Sequence, residues 1–202
     1  MNKDDKVIEA FGKEWKQFNY SGVDKILLKE SFDQYFSIFR WDLLPDHPVG
    51  FDMGCGSGRW AQFVAPRVKH LNCVEPSEAI EVARRSLREF DNVSFIQETT
   101  ETCNLENNSQ DFGYSLGVLH HIPETESAIK DCSKLLRSGA PFLLYLYYNF
   151  ENKPTWFRLV WKLSDLLRQF ISKLPSPLKK IMCDIIAYCF YFPLSRGAYW
   201  IE

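Results

Sequence analysis

Apolar positions along this chain recur with two different periods. Ile8, Phe11, Trp15 and Phe18 return at helical spacing, and Leu28, Phe32, Tyr35, Phe36, Phe39 and Leu43 repeat it, so residues 1–44 are expected to form two amphipathic helices. Pro45, Pro48 and Gly50 break that pattern. Val49 to Met53 is then a short apolar run ending in Gly54-Cys55-Gly56-Ser57-Gly58, which reads as a strand and a glycine turn with a helix starting near Ser57 to Arg59. Leu71 to Val74 and Val93 to Ile96 read as two further strands. Between them Ser77 is a natural N-cap for a helix carrying Ile80, Ala83, Leu87 and Phe90 on its inner face. Phe112 to Leu119 is a fourth strand, Glu124 to Leu136 a helix, and Phe142 to Tyr148 an apolar run of the kind found in strands buried on both faces.

Strands alternating with helices predict an α/β fold with a mostly parallel sheet and right-handed crossovers. The expected organisation is an N-terminal helical cap over 1–48, a sheet core over 49–149 and a C-terminal helical segment over 150–202, within one domain overall. In that last segment Trp156, Leu159, Val160, Leu163, Leu166, Leu167 and Phe170 form one stripe. Leu178, Ile181, Met182, Ile185, Ile186 and Cys189 form another beyond Pro175 and Pro177. Such a face needs a cover: the domain itself, a lid over a substrate, a homodimer contact, or peripheral membrane contact helped by Arg158, Lys162, Arg168, Lys173, Lys179 and Lys180 elsewhere on these helices.

Composition narrows the function classes. The 202 residues suit one sizeable domain, with 46% hydrophobic and 25% charged residues. Lys and Arg number 24 against 26 Asp and Glu, a net charge of −2 without a dense basic block, so nucleic acid is not an expected partner. The six cysteines are scattered without a CxxC pair, so neither a metal site nor a disulfide framework is expected. The acidic N-terminus has no apolar core of signal-peptide length, and Ile181 to Pro193 falls short of the ~20 residues of a spanning helix. A cytoplasmic location is expected.

The glycine turn gains meaning from Glu75, 21 residues beyond Gly54 at the end of the second strand, where a carboxylate can accept both hydroxyls of a ribose. A nucleoside-type cofactor follows. The dinucleotide pattern G-x-G-x-x-G/A fails at its last position, which is Arg59, so a nicotinamide-dependent oxidoreductase is the disfavoured reading.

The run Asp52-Met53-Gly54-Cys55-Gly56-Ser57-Gly58 resembles the signature turn of the class I S-adenosylmethionine-dependent methyltransferases, with a likeness to methyltransferase type 11. The resemblance extends through Val74-Glu75-Pro76-Ser77, the segment Phe95 to Glu101, Asp111 to Ile122 and Leu135 to Gly139, covering about residues 49 to 147. It implies a Rossmann-like sheet in the order 3-2-1-4-5, S-adenosyl-L-methionine as cofactor and S-adenosyl-L-homocysteine as product. It also implies that Asp52, Gly54, Cys55, Gly56 and Gly58 serve the methionine part, Glu75 and Pro76 the ribose side, and Thr99, Thr100 and Glu101 the adenine flank. Leu116 and Gly117 would lie beneath the sulfonium, with His120 as acceptor-side base, His121 beside it, and Tyr145, Tyr147, Tyr148 and Asn149 as further acceptor-side groups. The two strands that usually end this fold are expected to be absent, as in a portion of a longer protein.

Structural readings stand beside these roles: Asp52 as a cap of the glycine loop, Glu75 as a helix-start charge, and His120-His121 as a turn bonded to backbone. The implied activity is methyl transfer to a small-molecule or lipid- or saccharide-linked acceptor. A catalytically silent S-adenosylmethionine-binding protein is the alternative.

Overall fold

The computed structural model describes residues 2–17, 25–147 and 150–199, in two compact units spanning residues 1–147 and 148–202. Phe18, Tyr148, Asn149 and the last residues 200–202 lie outside the described residues.

The first unit opens with α1 (Asp5–Gln17) and α2 (Lys25–Tyr35). Asp4 starts α1, because its Oδ1 accepts the orphan N–H groups of Lys6 and Val7 at 3.0 and 3.3 Å. The second helix is shorter than its hydrophobic pattern predicts. Ser37 Oγ donates to the Gln34 carbonyl at 2.8 Å and closes the helix there, yet Phe36 and Phe39 still reach the core from the turn that follows.

Five parallel strands follow: β1 (Val49–Met53), β2 (His70–Val74), β3 (Val93–Ile96), β4 (Phe112–Leu116) and β5 (Phe142–Tyr145), in the spatial order β3-β2-β1-β4-β5. The expected strand order is therefore observed. Connecting helices are α3 (Ala61–Val64), α4 (Ile80–Ser86) and α5 (Thr125–Leu135). β4 ends at Leu116 rather than Leu119 because Gly117 turns the chain with φ 77°. Ser77 caps the turn ahead of α4 rather than α4 itself, accepting from Ala79 N–H at 3.2 Å.

Side-chain alternation sorts the core into two layers. Leu71, Cys73, Phe112 and Tyr114 face α2, α3 and α4 on one side of the sheet, while Phe51, Met53 and Val74 face α5 on the other. The central strands β1 and β4 interlock through glycine. Gly50 pairs with Phe112 and Phe51 with Gly113. Each ring fills the space that a side chain on its partner glycine would need, one pair on each face of the sheet.

In the second unit, α6 (Thr155–Ser172) and α7 (Ser176–Ile186) are separated by Pro175, and a π-helical turn Ala187–Tyr191 leads into α8 (Phe192–Tyr199). One side of α6 packs through Phe157 and Trp161 on Phe150, with ring centroids 5.2 and 5.7 Å apart. No described helix is long and apolar enough to cross a membrane.

The interlocked glycines give a stability prediction. Gly50→Ala and Gly113→Ala each place a methyl group inside a buried Phe ring, and overpacking of this kind costs about 1–3 kcal/mol. Urea unfolding should show a lower midpoint for both at unchanged slope. A midpoint equal to the parent's would mean that the rings move aside freely.

Candidate functional site

The carboxyl ends of β1, β2 and β4 open into a cavity of ≈ 360 Å³, the edge at which open parallel sheets hold ligands. Its floor is built from the glycine turn. Gly54 N–H donates to the Val74 carbonyl at 2.7 Å, tying the end of β1 to β2, and Gly54 itself has φ 79°, with a Cβ there colliding with Val118.

Glu75 braces this turn. Its Oε2 accepts from Gly56 N–H at 3.1 Å and its Oε1 from Ser77 N–H at 3.0 Å. The carboxylate is buried, yet each oxygen keeps a lone pair and the side chain lines the cavity. A carboxylate prepared in this way can take two neighbouring hydroxyls.

Other sequence-derived residues divide by position. Gly54, Pro76, Thr99, Thr100, Leu116 and Gly117 line the cavity with Glu75, whereas Asp52, Cys55, Gly56 and Gly58 lie behind it in the packed turn. Glu101 is exposed and outside the lining, its Oε2 accepting from Asn2 N–H at 2.7 Å. Glu98, which the sequence reading left without a role, lines the cavity instead. Glu98 Oε2 and Thr100 Oγ1 are buried without a hydrogen-bond partner. Buried polar groups are normally satisfied, so two orphans in one wall point to a polar ligand there.

The opposite wall is aromatic. His121 lines the cavity, and its ring lies 4.9 Å from Phe11. His120 does not line it: its ring stacks between His121 and Tyr147, 4.1 Å from each, with both nitrogens buried and unpartnered. Tyr145 meets Tyr35 edge-on at 5.1 Å and Tyr147 at 5.9 Å. Burial lowers the pKa of both histidines, and the neighbouring His121 lowers that of His120 further. Both imidazoles are therefore neutral near pH 7, the form that accepts a proton.

The N-terminus roofs the site. Val7, Ile8 and Phe11 of α1 line the cavity, and Asn2 fastens the start of the chain, donating to the Glu124 carbonyl and accepting from Glu124 N–H at 2.9 Å each. Sequence periodicity announced this helix but not what it covers.

Asp52 stands apart electrostatically. Burial pushes its carboxyl up to about 8, the Glu75 charge adds to the rise, and the neighbouring Tyr114 hydroxyl and Arg59 oppose it. Its Oδ2 and the Tyr114 hydroxyl are both buried without a normal-geometry hydrogen bond. Among the described residues no group of three or more His, Cys, Asp or Glu could hold a metal ion.

Residues 51–144 match the family of methyltransferase domains. A ubiquinone biosynthesis O-methyltransferase of Proteus mirabilis (strain HI4320) is 31% identical over 112 residues, 54% of this chain and 45% of that protein. An uncharacterized methyltransferase of Bacillus subtilis (strain 168), YcgJ, is 27% identical over 132 residues, 64% of this chain and 52% of that one. The chain thus spans about half the length of these curated relatives. The crystal structure of YcgJ superposes with a TM-score of 0.52 at 24% identity, covering 57% of this chain and 50% of that one. A solved structure from Methanococcus maripaludis, assigned to the S-adenosyl-L-methionine-dependent methyltransferases, reaches a TM-score of 0.58 at 15% identity over 94% of this chain and 88% of its own. These two structures share the fold.

Asp52 gives a pH prediction whose sign is fixed. Its pKa is raised from 3.8 to about 8, so the folded chain holds a proton that the unfolded chain releases above about pH 4. The stability this proton contributes is complete below that pH and is lost as pH rises through about 8. Without added ligand, the unfolding midpoint of the parent should fall relative to that of Asp52→Asn, which has no proton to lose, between about pH 4 and 8. Parallel curves would remove the raised carboxyl.

Proposed function

We propose, from the match of residues 51–144 to the family of methyltransferase domains, that this chain is a class I S-adenosylmethionine-dependent methyltransferase that binds S-adenosyl-L-methionine on its glycine turn and methylates a small-molecule acceptor, free or carried on a lipid or saccharide. One observation carries the reading. A single cavity combines a nucleoside-type wall, Glu75 with the orphaned Glu98 and Thr100 atoms, and a wall bearing the neutral base His121.

The residues present fit the cofactor. Glu75 offers its remaining lone pairs to the ribose hydroxyls, while Glu98 Oε2 and Thr100 Oγ1 suit the polar edge of adenine. Gly54, which lines the cavity without a Cβ, leaves room for the methionine part, and Asp52 stays protonated behind the turn. Leu116 and Gly117 form the floor between the two walls. Glu101 belongs to the fastening of α1 in this reading rather than to adenine. When bound, the cofactor supplies a methyl group already activated by its sulfonium, so the protein's part is to align the acceptor and exclude water.

An acceptor hydroxyl arrives protonated, and His121 takes that proton. The relative from Proteus mirabilis is named an O-methyltransferase, which supports an oxygen nucleophile here as well. His120, stacked behind His121, positions it. α1 excludes water from above through Val7, Ile8 and Phe11.

Calorimetry with S-adenosylmethionine, S-adenosylhomocysteine and NAD, followed by transfer of a labelled methyl group to a panel of phenols and sugar alcohols, tests this. Both sulfur ligands should bind and NAD should not. Glu75→Ala should weaken S-adenosylhomocysteine by about 1.5–3 kcal/mol, the scale of lost charged hydrogen bonds. His121→Ala should lower turnover by about 10²-fold or more, as loss of a general base does, with the dissociation constant of S-adenosylhomocysteine within about twofold of the parent's. His120→Ala should cost less. The parent's rate should fall on acidification below the usual histidine range, because burial lowers the pKa of His121. Binding without transfer to any acceptor would identify a silent cofactor-binding protein, and binding of NAD alone would overturn the assignment.

A further inference from the structure

The second unit presents an apolar face to solvent. At about 100° per residue, Leu166, Leu159, Phe170, Leu163, Trp156, Leu167 and Val160 of α6 fall on one unbroken arc of about 120°. Every one of them is exposed, Trp156 at 66%, Leu163 at 60%, Leu166 at 65% and Phe170 at 64%. The helix meets Phe150 on the other side, through Phe157 and Trp161, and the arc is left open. Downstream, Ile181, Ile185, Tyr188, Phe190 and Tyr191 are exposed too.

Charge identifies what fits this face. Residues 148–202 carry eight Lys and Arg against four Asp and Glu, a net of +4, whereas residues 1–147 carry 16 against 22, a net of −6. The chain's overall −2 therefore conceals a basic helical unit. Asp165, the single acid of α6, is neutralised by Arg168 at 2.7 Å. Lys162 borders the apolar arc beside Leu166, and Lys173, Lys179 and Lys180 cluster between the end of α6 and the first turns of α7.

We propose that the 148–202 unit docks peripherally on an anionic lipid bilayer, with the apolar arc of α6 set into the headgroup boundary and the flanking lysines and arginines against acidic headgroups. A broad apolar face with a cationic polar side has the physical form of an interfacial helix. The exposed Trp and Tyr residues suit the same depth, where an amphipathic ring keeps one end wet. No described helix is long and apolar enough to span, so the unit lies on the surface. A second copy fits less well, because pairing two such units brings +4 against +4, while an acidic leaflet attracts each lysine or arginine by about 1 kcal/mol near its surface. The inference stands independently of the methyl-transfer reading.

Sedimentation of the whole chain with vesicles tests it. Phosphatidylcholine containing about a quarter phosphatidylglycerol should bind about tenfold or more tightly than phosphatidylcholine alone, and salt should weaken the binding. Leu163→Glu with Leu166→Glu should abolish binding, while Lys179→Glu with Lys180→Glu should reduce it several-fold. Each variant is checked for helix content by circular dichroism and for parental affinity toward S-adenosylhomocysteine, or for a parental unfolding midpoint should the parent not bind that ligand. Quenching of the parent's fluorescence by brominated lipid should weaken in Trp156→Phe, an observation that needs no charged variant. Equal sedimentation with and without acidic lipid overturns the proposal, as does a dimer dissociated by Leu163→Glu that shows no lipid binding.

Discussion

The ligand-facing end of the sheet depends on one buried carboxylate. Glu75 joins the glycine turn after β1 to the chain leaving β2, because its two oxygens accept from Gly56 and Ser77 N–H groups on the two segments. Burying a charge is unfavourable unless it is met by donors, and two backbone amides meet it here. The converse also holds: those amides are enclosed and would be orphaned without it. Glu75 is therefore a brace first, and its carboxylate lines the cavity held still by that turn.

The interlocked pair β1 and β4 sets the other constraint. Gly50 and Gly113 give up their side-chain space to Phe112 and Phe51, which fixes the register of the two central strands and with it which residues face inward. Asp52 lies two residues beyond Gly50, so strand alternation turns it toward the same layer as Tyr114. Its raised carboxyl pKa is a consequence of that register rather than of a separate device. A charge close to the site is kept neutral by the packing that orders the core.

Elements with strong periodicity or a sharp break were legible in the sequence. Val49–Met53 and Val93–Ile96 came out with their observed bounds, and the glycine turn announced both the strand before it and the carboxylate of Glu75 after the next, which lines the cavity. Less was legible where spacing carries no period. The stretch after β3 is irregular, so nothing in the sequence says that Glu98 enters the cavity while Glu101 turns outward to Asn2. His120 and His121 lie in a single 3-10 turn, where neighbouring side chains diverge, and the sequence cannot show which one faces in. Ser37 ended α2 early through a hydroxyl bond that hydrophobic spacing does not register.

Floor and roof of the cavity differ in how they are held. The floor is main chain at the ends of ladder-bonded strands, and loses its order only when the sheet does. The roof is α1, held by apolar contacts, by the ring contact of Phe11 with His121, and by hydrogen bonds of Asn2 that are exposed to solvent. Segments held by few, exposed bonds open at lower free energy than core strands. A cavity built this way is rigid along its floor and yields first at its roof. The ring contact couples the roof to the aromatic wall, because Phe11 lies against the His121 ring and burial is what lowers that ring's pKa. α1 thus both covers the cavity and buries the His121 imidazole, so one helix governs the opening and the state of that ring.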